Sequence, residues 1–216
     1  MVMREIINQY DNPDMILFSG ESFDDNGTNN KKPNLKFTLH GEFLYNSKLI
    51  TKLTKSNETL PQASRYITKA ELWLENKLSY PEGIAEDEAV FFPLLASSKS
   101  TVVIPETYYR YRVGRPGSIT LSPPNPKHAK DYLNIILSTI EFMTLRYDLV
   151  KADLSAWHYR LGRKGLNYVS MCLKTNTPIS WKIILIVFYR AKSISFPLKL
   201  LWRILRHFFS NNNLKK

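Results

Sequence analysis

Hydrophobic positions set the first two thirds of the chain apart from the last. Val2, Ile6 and Tyr10 fall near one helical turn from each other and predict a helix over residues 1–10, which Asp11-Asn-Pro-Asp14 breaks. Met15-Ile-Leu-Phe18 is a short unbroken apolar run, as in a buried strand. Asp24-Asp-Asn-Gly27 is turn chemistry, and polar loop continues to Pro33. Helical patterns follow over 39–52 and 64–77, separated by Ser56-Asn-Glu-Thr-Leu-Pro61. After a loop over 78–83, Val90, Phe91, Leu94 and Leu95 give helical spacing to 86–97. Thr101-Val-Val-Ile104 is rich in β-formers, and residues 107–113 alternate as a strand does. That alternation puts Tyr108, Arg110 and Arg112 on one face and Tyr109, Tyr111 and Val113 on the other. Gly114-Arg-Pro-Gly117 ends the strand. Helices are predicted over 126–150 and 154–173. The expected class is α/β (an α+β fragment) followed by a helical C-terminal region, divided as 1–125, a helical extension 126–177 and a basic amphipathic tail 178–216.

In the tail, Pro178 and Pro197 bracket a segment containing Ile183-Ile-Leu-Ile-Val-Phe-Tyr189. A spanning helix needs about 20 apolar residues, and Lys182 and Arg190 cut this run short. Farther on, Lys199, Arg203 and Arg206 fall at i, i+4 and i+7, one stripe of a helix, with Leu198, Leu201, Trp202, Leu205, Phe208 and Phe209 opposite. Two readings fit: an in-plane helix on an anionic membrane surface, or a helix docking its apolar side on the core. Nucleic acid fits poorly, because the apolar side is too large and the basic residues form no separate groove-sized patch.

Charge sharpens this division. The net charge of +11 is not spread evenly: residues 1–150 hold 17 Lys and Arg against 18 Asp and Glu, whereas residues 151–216 hold 13 against the single Asp153. A block this one-sided usually faces phosphate, on nucleic acid or on an anionic membrane. A length of 216 residues with 12% aromatic content excludes wholesale disorder, and one cysteine, Cys172, excludes a disulfide-stapled scaffold. Cys172 reads as a free, buried thiol. Polar and charged residues throughout positions 1–14 predict no secretory leader, so a reducing, cytoplasmic setting is expected.

Familiar catalytic signatures are absent: there is no GxGxxG, Walker A, HExxH or Gly-x-Ser-x-Gly sequence. His40, His128, His158 and His207 show no ligand spacing and read as surface or helix-end residues. Two features could carry chemistry. Glu82-Gly-Ile-Ala-Glu86-Asp87-Glu88 leads into an apolar helix, where carboxylates either favour the helix dipole or supply a general base. The stretch from Tyr108 to Arg115 holds three arginines ahead of Gly117-Ser118, either an exposed basic strand or a phosphate contact with added turn N–H donors.

Taken in order, several segments resemble the second half of the family 2 (GT-A) glycosyltransferases. They are Arg65-Tyr-Ile-Thr-Lys-Ala-Glu-Leu72, Asn76-Lys-Leu-Ser-Tyr-Pro-Glu-Gly-Ile84, Glu86-Asp-Glu88 with Phe91, Ile104-Pro-Glu106, Tyr109-Arg-Tyr-Arg112 and Gly117-Ser-Ile119. Asp14-Met-Ile-Leu-Phe18 and Phe23-Asp-Asp-Asn-Gly27 resemble the strand and turn that follow the metal-binding aspartates in bacterial members. The likeness covers about residues 1–125. Ala85 stands where many relatives carry His or Tyr, and one extra residue separates Asp87 from Phe91 or Phe92.

The resemblance implies transfer of a sugar from a nucleotide-sugar to the hydroxyl of a glycan or lipid-linked acceptor, in bacterial surface polysaccharide assembly. It implies Asp87 as catalytic base with Glu86 flanking it, and Arg110, Arg112 and Ser118 as substrate contacts. The family also implies a divalent cation, Mg or Mn, held by an Asp-x-Asp at the end of a nucleotide-binding half. Neither that motif nor that half has a counterpart in these residues, so a truncated or split enzyme, inactive alone and completed by a separate nucleotide-binding half, is expected. The expected location is the inner face of the cell membrane, with residues 178–216 as the contact. The alternative is a non-catalytic, membrane-associated scaffold derived from the same remnant.

Overall fold

Met15-Ile-Leu-Phe18 has no polar face to offer water, so the strand it forms has to be covered on both sides. The computed structural model, which describes residues 2–23, 35–58, 61–83, 86–114 and 122–213, places it accordingly. Strand β1 (Met15–Phe23) lies inside a mixed four-stranded sheet of order β2-β4-β1-β3. It pairs parallel with β4 (Ser100–Arg112) and antiparallel with β3 (Tyr66–Thr68), while β2 (Gly41–Leu44) pairs antiparallel along the far edge of β4. Ile16, Phe18, Val102 and Ile104 face helix α1 (Val2–Gln9) through Ile6. On the opposite face Leu17 pairs with Tyr66, whose ring meets Phe91 of α4 (Glu86–Ser97) at 5.6 Å between centroids. The chain is thus of mixed α and β class.

Two compact units divide it. One contains Met1–Pro81, Asp87–Ser122 and Lys151–Asp153; the other contains Glu82–Glu86, Pro123–Val150 and Leu154–Lys216. In the first, Asp14 joins three segments at one end of the sheet. Its carboxylate accepts from Lys69 Nζ at 3.0 Å and from the Lys99 N–H at 2.8 Å, and its N–H donates to Ser100 O. Short helix α2 (Leu49–Lys55) takes its cap from far along the chain: Asp153 Oδ1 accepts from Thr51 N at 2.8 Å and from Thr51 Oγ1 at 2.6 Å.

The sheet corrects three sequence expectations. The helix expected over 39–52 begins only at Leu49, because 41–44 pairs with the edge of β4 and left-handed Asn46 and Lys48 (φ 64° and 59°) turn the chain between them. Within 64–77, Tyr66–Thr68 is taken by the edge of β1, leaving helix only over Ala70–Glu75, α3. Residues 101–104 and 107–113 are one strand rather than two. The β1–β4 register shifts where Phe18 pairs with Ile104 and Ser19 with Thr107, a bulge that absorbs Pro105 and Glu106.

The second unit is helical. Helix α5 (Pro126–Leu145) starts with Pro126 in its first turn and with the Asn125 side chain accepting from the His128 N–H. The helix expected over 126–150 stops at Arg146, where the backbone leaves helical geometry, and a short α6 (Tyr147–Val150) follows. Helix α7 (Leu154–Thr175) packs on α5 through stacked Phe142 and Trp157, and buried Lys164 donates to Thr139 Oγ1 at 3.1 Å. Cys172 is buried, and burial pushes its thiol up. Helix α8 (Trp181–Ala191) seats Val187 and Ala191 against Gly165 and Gly162 of α7. It ends at left-handed Lys192, and α9 (Ser195–Asn213) follows. Pro197 does not bound the segment as expected; it lies in the first turn of α9, where a missing N–H costs nothing.

Candidate functional site

Three carboxylates open α4, where the helix dipole favours them, and the turn before it is built for close approach. Gly83 holds φ +122°, and a Cβ there would lie 2.5 Å from the carboxyl carbon of buried Asp131. Glycine satisfies both demands and no other residue does.

Asp87 lies one helical turn before Phe91, so the two share a side of α4. Phe91 meets the Tyr66 ring, and Tyr66 and Tyr80 share a hydrogen bond between their hydroxyls at 2.6 Å. Trp73 packs on Tyr80 at 5.1 Å and donates from Nε1 to Thr68 Oγ1 at 2.6 Å. Burial, then the bond to Tyr80, then the negative charge of Asp87 push the Tyr66 phenol far above its ordinary range. Tyr66 therefore stays protonated, and the half-buried Asp87 carboxylate sits within electrostatic reach of it. A half-exposed carboxylate beside neutral phenols can accept a proton from a bound hydroxyl while the phenols supply hydrogen bonds. Sequence reasoning singled out Asp87 and Glu86 but not Tyr66 and Tyr80. Both tyrosines lie inside the segments that resemble the glycosyltransferases, yet no spacing distinguishes them, and only the pairing of β3 with β1 brings Tyr66 under α4.

The other expected residues fall elsewhere. Exposure alternates along β4 as predicted, with Tyr108, Arg110 and Arg112 outward. Arg110 is engaged: its Nε lies 2.8 Å from Glu21 Oε1, and its guanidinium sits over the Phe23 ring at 5.0 Å. Arg112 is exposed. Ser118, with Gly117 and Ile119, lies outside the described residues, as do Ile84 and Ala85. His128 is a helix-end residue as expected, in the first turn of α5, and it is buried there. Among the described residues no three His, Cys, Asp or Glu side chains converge as a metal-binding group, so the Glu86-Asp-Glu88 run does not form one. Neither a scan of protein-family models nor a search of curated proteins finds a match to this chain.

Proposed function

We propose that the chain supplies the acceptor side of a GT-A glycosyltransferase, with Asp87 as the base that takes the proton of the acceptor hydroxyl. The observation that carries this reading is the half-buried Asp87 carboxylate at the start of α4, within electrostatic reach of Tyr66, whose hydroxyl is paired with that of Tyr80. As the proton moves to Asp87, the acceptor oxygen attacks the anomeric carbon and the nucleoside diphosphate leaves with the bonding pair. Glu86 flanks the base at the helix start, and Arg112, exposed on the outer face of β4, contacts a substrate oxyanion. Arg110 is a weaker ligand than its position suggests, because Glu21 already neutralises it. No step here runs through a divalent cation, since the described residues do not form its site.

The test pairs this chain with a polypeptide carrying the family's nucleotide-binding half and assays nucleotide release from a panel of sugar nucleotides. Asp87→Asn keeps the shape and removes the proton acceptor, so transfer falls at least about a hundredfold while donor affinity is unchanged. Full transfer by Asp87→Asn would refute the assignment of the base. The absence of transfer with every donor and acceptor, together with unaltered acceptor binding in the variant, would favour the non-catalytic scaffold.

A further inference from the structure

The tail presents more apolar surface to solvent than the helical unit consumes. On α8, Trp181, Leu185, Phe188 and Tyr189 are exposed, opposite the buried Ile184, Val187 and Ala191. On α9, Leu198, Leu201, Trp202, Leu205 and Phe209 are exposed, with Trp202 at 66%. Ile194, in the elbow between the two helices, is 93% exposed. The α9 face is therefore not docked on the core. Exposed apolar residues gathered this densely mark a binding surface rather than ordinary scatter.

Charge identifies the occupant. From residue 154 to the end of the sequence there is no Asp or Glu, and residues 178–216 hold eight Lys and Arg. The basic stripe is redistributed from the expected pattern. Arg203 turns inward, donating to Leu166 O at 2.9 Å and to Ser170 Oγ, while Lys199 and Arg206 stay exposed beside the apolar face. At the elbow lies a cavity of about 270 Å³ lined by His158, Arg163, Lys192, Ser193, Ser195 and Lys199, among others, with no acidic residue in its wall. Burial first, and the charge of Lys192 next, pull His158 below its ordinary range, so positive charge in this hollow is felt at close quarters. Such a volume falls at or below the lower end of small-molecule pockets, about 300–1,000 Å³, and suits a headgroup better than a whole nucleotide-sugar.

We propose that the α8–α9 elbow takes the phosphate of an anionic lipid headgroup, while the exposed faces of α8 and α9 lie in the surface of the bilayer. Lys192, Lys199 and Arg163 supply charge, the hydrogen-bonded Ser193–Ser195 pair has one hydroxyl proton left to donate, and Ile194 and Leu198 enter the acyl boundary beside the pocket. The helices lie on the membrane rather than through it. Among the described residues no helix is long and apolar enough to cross, and α8, with 11 residues, spans only about 16 Å. This site is independent of the Asp87 reading and survives its failure.

The full chain is sedimented with vesicles of phosphatidylcholine alone and with about one third phosphatidylglycerol, in low salt and in about 0.5 M salt. Binding is expected to the anionic vesicles, at least about tenfold stronger than to the neutral ones, and weakened by salt. Lys192→Gln with Lys199→Gln removes two charges at the pocket and weakens binding by about 25-fold, at about fivefold per charge. Ile194→Glu with Leu198→Glu, at exposed positions that circular dichroism confirms as folded, abolishes it. Lys55→Glu, on α2 in the other unit, leaves it unchanged. Equal binding to both vesicle types, or binding indifferent to both double variants, overturns the proposal. Binding of free glycerol phosphate without vesicle binding overturns the membrane source. A dimer in sedimentation equilibrium that the Ile194/Leu198 variant dissociates assigns the face to a second copy instead.

Discussion

Replacing Gly165 by alanine destabilises the helical unit, and replacing Gly162, one turn earlier on the same side of α7, does not. A Cβ at position 165 would stand 2.7 Å from Val187 Cγ1 and 3.4 Å from two ring carbons of Phe196. Carbon atoms attract best at roughly 3.5–4.0 Å, so the overlap with Val187 is on the order of 1 Å. Val187 is fully buried, and a β-branched side chain in a helix has one strongly preferred rotamer, so it does not swing aside. α8 must shift instead. Overpacking of this kind costs about 1–3 kcal/mol, against about 1 kcal/mol gained from the better helix propensity of alanine. A Cβ contact of 2.7 Å puts the cost in the upper part of that range, so the balance for Gly165→Ala is a loss of about 1–2 kcal/mol. At position 162 the nearest atoms are Ala191 Cβ at 3.4 Å and Phe196 Cδ2 at 3.6 Å, close to ordinary contact. There the propensity term wins, and Gly162→Ala is as stable as wild type or more so by up to about 1 kcal/mol. Urea unfolding followed by far-ultraviolet circular dichroism reads both as midpoint shifts at constant slope. Val187→Ala opens the space above Gly165, so adding Gly165→Ala to that background costs less than adding it to wild type. A Gly165→Ala protein as stable as wild type, or a reversed order of the two glycine variants, refutes the close seating of α8 on α7.

Two further outcomes concern the sheet unit. Burial alone would raise the Asp14 carboxyl, but Lys69 and the Lys99 and Ser100 N–H groups outweigh it and hold it below its ordinary range. Its stabilisation is therefore complete above the unfolded carboxylate pKa of about 4 and lost as pH falls through the lower folded value, so Asp14→Asn flattens the acid limb of stability measured by urea midpoints between about pH 2 and 5. Asp153→Ala removes both bonds to Thr51 and leaves the start of α2 uncapped, a loss of about 1–2 kcal/mol in the same assay, whereas Thr51→Val, which keeps the N–H bond, loses less.

Where one local pattern dominated, the sequence was readable. Val90, Phe91, Leu94 and Leu95 announced α4, the alternation from Tyr108 to Arg112 matched the exposure of β4, and the helix expected from residue 126 begins there as α5. Where partners distant in sequence competed, it was not. Residues 41–44 and 66–68 carry helical spacing, yet both became strands because β4 and β1 had free edges whose N–H and C=O groups needed pairing. The Pro105 bulge was invisible for the same reason: a proline within a strand is tolerated only where the partner's register allows it. At the candidate site the carboxylate was legible and its surroundings were not. Asp87 sits in a conspicuous acidic run, whereas Tyr66 comes within electrostatic reach of it by a strand pairing that nothing in its own neighbourhood encodes.

The tail shows why hydrophobic periodicity alone does not say what a helix packs against. Phe196, Leu200 and Ile204 lie on one side of α9 and are buried or half-buried, while Leu198, Leu201, Trp202, Leu205 and Phe209 lie on the other and are exposed. Either set suffices for an amphipathic helix docked on a core, so counting apolar residues cannot choose between them. The stripe of Lys199, Arg203 and Arg206 reads in sequence as the solvent side, but an arginine can satisfy itself inward when carbonyl and hydroxyl acceptors wait there, as Leu166 O and Ser170 Oγ do for Arg203. What discriminates is the excess: α8 and α9 carry two apolar sides each, and α7 offers room for one. The glycines at 162 and 165 bring α8 and the start of α9 close enough to fill that room, leaving the second sides outward. A face that the fold itself leaves uncovered, in a stretch with no acidic residue, is matched by a surface that is at once apolar and anionic, which a bilayer rich in phosphatidylglycerol supplies and a neutral one does not.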